Sequence, residues 1–67
     1  MAMSKKLADT ISRRINGLMV YKMMVNASKG ENDLDGMLHA MQWYNSEADE
    51  LIGLGIEVIK YKGVYQI

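Results

Sequence analysis

Apolar residues recur along this chain at helical spacing up to about residue 54, and at strand-like density after it. At about 100° per residue, Leu34, Met37, Leu38, Met41, Tyr44, Ala48, Leu51 and Ile52 gather into one stripe. The pattern predicts an amphipathic helix over 33–54. Trp43 falls on the far side of that helix, with His39, Glu47 and Glu50 around it. Upstream, Leu7, Ala8, Ile11, Ile15 and Leu18 share a second stripe, and Lys5, Lys6, Asp9, Arg13 and Arg14 lie largely outside it. This predicts a first helix over 4–28, capped by the Ser4 hydroxyl. Gly17 interrupts it at a propensity cost of about 1 kcal/mol relative to Ala, and marks a close helix crossing, a kink or a break.

The second half of the first helix is different. In the run LMVYKMMV, residues 18–25, only Lys22 is polar, so the helix is apolar nearly all round and must be covered on more than one side. A single partner helix cannot do that. Self-association through Leu18, Met19, Tyr21, Met23, Met24 and Val25 is therefore expected.

The segment NASKGEND, residues 26–33, reads as the connection. Gly30 suits the left-handed position after a helix end, and Asn32 is placed to cap the second helix with Asp33 and Asp35 in its first turn. So short a connection implies antiparallel helices. Within the second helix, Asn45 projects near the middle of the apolar stripe. Its amide is expected to bond a backbone carbonyl or water, or else to fix register across a symmetric interface. After Leu54-Gly55 the composition changes: Ile56, Val58, Ile59, Tyr61, Val64, Tyr65 and Ile67 are β-branched or aromatic, and Lys62-Gly63 resembles a tight turn. The expected fold is therefore α+β, a single domain over 1–67. It has two antiparallel helices, the first a candidate for kinking at Gly17, followed by a C-terminal β-hairpin over 56–67.

Size changes the picture. Below roughly 70–80 residues one core rarely supplies more than about 3–5 kcal/mol, and small domains lean on disulfides, metals or partners. The chain has no Cys and one His, which excludes disulfides and thiolate zinc sites and leaves no expected metal or cofactor. A homo-oligomer or an obligate binder is the remaining expectation. The start, MAMSKKLADTISRR, has no apolar h-region, and Leu18–Val25 is too short to span a bilayer, so no membrane role and a cytoplasmic setting are expected.

The net charge is zero but unevenly spread: +5 over residues 1–30, −7 over 31–57 and +2 over the last ten. The simplest consequence is a basic helix lying beside an acidic one. Seven Met are many for 67 residues; they serve as core filler or as an adaptable binding surface. His39, Trp43, Glu47 and Glu50 are neighbours at helical spacing, and a Trp rimmed by charge has the make-up of a protein-binding anchor. Tyr61 and Tyr65 are secondary contact candidates. No nucleophile, acid partner or glycine loop accompanies His39, so no enzymatic activity is expected.

The tail LIGLGIEVIKYKGVYQI, through Leu54, Gly55, Ile56, Gly63, Tyr65 and Ile67, resembles the end of a winged-helix domain, where a helix runs into a closing hairpin. The resemblance covers a quarter of the chain and implies a small DNA-binding regulator. The remainder departs from it. A winged helix needs three short helices, and the would-be recognition helix carries Glu47, Asp49 and Glu50, which repel phosphate. The expectation favoured by the residues is a small non-catalytic module. It would bind and inhibit or regulate a larger protein, in the manner of phage or mobile-element accessory proteins.

Overall fold

The structure is a computed structural model, and it describes residues 4–63. Two antiparallel helices, α1 (Lys5–Gly30) and α2 (Leu34–Gly53), form a helical hairpin. After a turn at 54–55, residues 56–61 return along it as an irregular strap. The molecule is elongated, 46 × 19 × 16 Å.

Local chemistry sets both helix ends. Ser4 caps α1, its Oγ accepting from Leu7 N–H at 3.1 Å. α1 runs through Gly17 and two residues past its expected end, so Gly30 stays helical and Asn32 takes the left-handed conformation at φ 58°. Asn is one of few residues that tolerate this region. There Asp33 N–H donates to Ser28 O and Asn32 N–H to Lys29 O, the Schellman pattern. The cap of α2 is Asp33 rather than Asn32, because its Oδ1 accepts from Gly36 N–H at 3.0 Å. α2 ends in a second Schellman motif, with Gly55 at φ 89° and Ile56 N–H donating to Leu51 O.

Packing between the helices follows a heptad. Ile11, Leu18 and Val25, spaced seven apart, are the buried residues of α1; Ala40, Ala48 and Leu51 are those of α2. Ile11, Leu18, Ala48 and Leu51 form the core, and Tyr44, Ile56 and Val58 pack on it. Ala40 and Ala48 let the helices approach closely. At Gly17 a Cβ would sit 3.7 Å from Glu47 Cγ, an ordinary contact, so α1 passes through this position without requiring glycine there. The expected pairing of basic and acidic helices is made concrete by Arg14 and Glu47, 2.9 Å apart.

The expected stripe of α2 served two partners, and the face toward α1 is turned from its centre by roughly 50°. Leu34, Leu38 and Ile52 are consequently exposed, while the half-buried Tyr44 and Asn45 receive the strap.

Among the described residues there is no strand and no β-hairpin is seen, so the fold is a helical hairpin rather than α+β. Val64–Ile67, which were to supply the returning strand, lie outside the described residues. The physical reason is visible at Tyr61, whose backbone groups are both engaged by one side chain. Asn45 Nδ2 donates to Tyr61 O at 3.0 Å, and Tyr61 N–H donates to Asn45 Oδ1 at 2.9 Å. The Tyr44 hydroxyl donates to Ile59 O at 3.1 Å, and Lys60 pairs with Asp49 at 2.7 Å. The β-rich segment is thus held by α2 side chains in place of a strand. With two helices and no strand among the described residues, the three-helix-plus-wing architecture implied by the tail's resemblance is absent as well.

Candidate protein-binding face

Trp43 stands on the edge of α2 where it meets α1. Turning the buried face brings Trp43 from the back of the helix to its flank, within reach of α1. Its ring lies 6.0 Å from that of Tyr21, tilted by 46°, and 6.2 Å from that of His39, tilted by 40°. It is nevertheless 48% exposed. Tilted pairs at these separations are favourable for aromatic rings, so the indole is braced by two neighbours while about half of the residue remains open to solvent.

His39 is fixed from below. Its Nδ1 lies 2.8 Å from Asp35 O, and since a carbonyl only accepts, Nδ1 carries the proton. One turn beyond Trp43, Glu47 is half-buried in its ion pair with Arg14, so it acts as a strut between the helices rather than as a free charge. Glu50 is exposed. The four residues expected to form one face therefore do share a side of α2, with Trp43 at the centre, His39 ordered beside it, Glu50 free and Glu47 engaged.

The secondary and self-association candidates divide. Tyr61 sits on the strap on the opposite side of the hairpin, edge-on to Tyr44 with ring centres 4.8 Å apart. Its hydroxyl pKa is raised, first by burial and then by the neighbouring Tyr44 phenol. Tyr65 lies outside the described residues. Leu18 and Val25 are consumed by the intramolecular core and are withdrawn from the self-association surface. Tyr21 is half-buried against Trp43, and Met19, Met23 and Met24 remain exposed.

Sequence reasoning did not place Tyr21 beside Trp43. The available signal was the antiparallel pairing itself, which sets the second half of α1 against the first half of α2. The strap forms a shallow groove of about 240 Å³ with both helices, lined by Lys22, Tyr44, Ile59, Lys60 and Tyr61. Among the described residues no group of three or more His, Cys, Asp or Glu is placed to hold a metal ion, and no helix is long and apolar enough to cross a membrane. No protein-family model matches the chain, and comparisons with curated proteins and with solved structures gave no match.

Proposed function

We propose that this chain is a non-catalytic helical-hairpin module that binds a larger protein and inhibits or regulates it, acting as a homo-oligomer in the cytoplasm. The observation that carries this reading is Trp43: a large indole, half open to solvent, braced by Tyr21 and His39. Side chains of this kind dominate binding energy where a partner desolvates them, because they offer large contact area with little rotamer freedom to lose. Glu50 and the Arg14–Glu47 pair supply a charged rim.

The test is affinity capture with wild type and Trp43→Ala, both checked for helix content, with the captured proteins identified by mass spectrometry. A central indole anchor is worth at least about 2 kcal/mol, roughly a 30-fold loss of affinity. A specific partner should be retained by wild type and lost by the variant. Equal recovery by both proteins removes Trp43 from the surface. In a parallel gel-shift assay, tight and salt-sensitive binding to generic duplex DNA would instead support nucleic-acid recognition through the basic residues of α1.

A further inference from the structure

We infer that a second copy of this chain covers the back of α1, with two α1 helices packed antiparallel about a two-fold axis at the level of residues 21–22. The inference rests on the self-association part of the reading above and assigns the surface and geometry.

Three observations converge. The first is the face itself. Met19, Val20, Met23 and Met24 lie on the side of α1 turned away from α2, at 60%, 53%, 69% and 38% exposure. The exposed Asn16 and Ala27 flank them at either end. Soluble monomers rarely leave so continuous an apolar face open.

The second is shape: the molecule measures 46 × 19 × 16 Å, with α1 and α2 lying side by side. Four helices in two copies would bring the long, thin hairpin toward the proportions of a bundle.

The third is charge. Arg13 and Glu31 are both exposed, are eighteen residues apart (five whole helical turns) and flank the apolar face on the same side. Neither takes part in an ion pair among the described residues. An antiparallel two-fold pairing centred near residues 21–22 places Arg13 of each copy opposite Glu31 of the other. A parallel two-fold pairing would put Arg13 at one end of the interface and Glu31 at the other, so neither would meet its opposite charge. The surface selects the antiparallel arrangement, and the isologous contact closes at two copies. The Trp43 face lies to one side of this interface and stays open.

Light scattering after size exclusion, at micromolar concentration, provides the test. Wild type should run at twice 7.6 kDa. Met23→Glu, at the most exposed of the four positions, should raise the dimer Kd at least tenfold without changing helix content, and Val20→Lys should do the same. Arg13→Glu and Glu31→Arg should each weaken the dimer a few-fold, and the double variant should restore it. Monomeric wild type overturns self-association altogether. An oligomer indifferent to Met23→Glu and Val20→Lys keeps self-association and overturns this interface. Failure of the double variant to recover overturns the antiparallel pairing. Trp43→Ala should leave the dimer intact, so loss of the larger partner and loss of self-association are read separately.

Discussion

Replacing Asn45 with alanine tests whether one side chain holds the C-terminal strap on the helices. Its amide makes two part-buried hydrogen bonds to the backbone of Tyr61, 2.9 and 3.0 Å long. A typical intramolecular hydrogen bond contributes about 0.5–1.5 kcal/mol net, so the pair is worth about 1–3 kcal/mol. The loss is capped below the top of that range, because a freed strap can peel away and let water satisfy both Tyr61 groups. About 1–2 kcal/mol is the expected cost. For a domain of this size each kcal/mol moves the melting temperature by about 4–8 °C, so Asn45→Ala should lower it on the order of 10 °C.

Hydrogen exchange read residue by residue separates this mechanism from general weakening. The Tyr61 amide should lose its protection in the variant, while amides in the middle of α1 and α2 keep theirs relative to global unfolding. Ile56 and Val58 would lose contact with the core only as far as the strap lifts. If the Tyr61 amide exchanges at the wild-type rate in Asn45→Ala and the melting temperature holds, the strap is secured by something other than this bidentate bond, and the reason given for the missing hairpin fails with it.

Three further outcomes follow from the structure. Gly53→Ala should stabilise by about 0.5–1 kcal/mol in thermal or urea unfolding, since an added Cβ meets nothing within 4 Å and α2 gains helix propensity. Gly36→Ala should lose that gain, because its Cβ would collide with the Asp33 carboxylate that caps α2. For Tyr61, burial and Tyr44 raise the folded-state pKa above the unfolded value near 10. The neutral phenol is therefore favoured by folding, and its contribution is complete below about pH 10 and is lost as pH rises through the folded pKa. Alkaline unfolding curves should show this decline in wild type, and Tyr61→Phe should remove that component.

The helices were legible because their signals are local. Ser4, the two apolar stripes and the short polar connection each act within a few residues, and they place α1 and α2 to within two residues at most boundaries. The loop details were less legible, since Gly30 and Asn32 can both adopt the left-handed position. Only the register of Asp33 N–H on Ser28 O decides between them. The strap misled for a different reason. Residues 56–61 have strand composition, and composition reports burial beside a surface as readily as pairing with a strand. What distinguishes the two is a distant residue: Asn45 supplies the donor and acceptor that a neighbouring strand would have offered.

The shared side of His39, Trp43, Glu47 and Glu50 was legible from their spacing, but the position of that side relative to α1 was not, and the displacement explains why Trp43 is half open rather than fully exposed. On the back of an amphipathic helix an indole would be fully solvated and unrestrained. Facing the core it would be buried. The α2 stripe is wide because it meets both α1 and the strap, so the side packed on α1 lies off its centre and Trp43 falls on the flank. A flank position in a two-helix hairpin is covered on one side only, by the neighbouring helix, and there Tyr21 of α1 meets the ring. A third helix in the same chain would close that side. The sparse architecture therefore does for Trp43 what it does for the back of α1: it leaves an apolar surface in place without burying it.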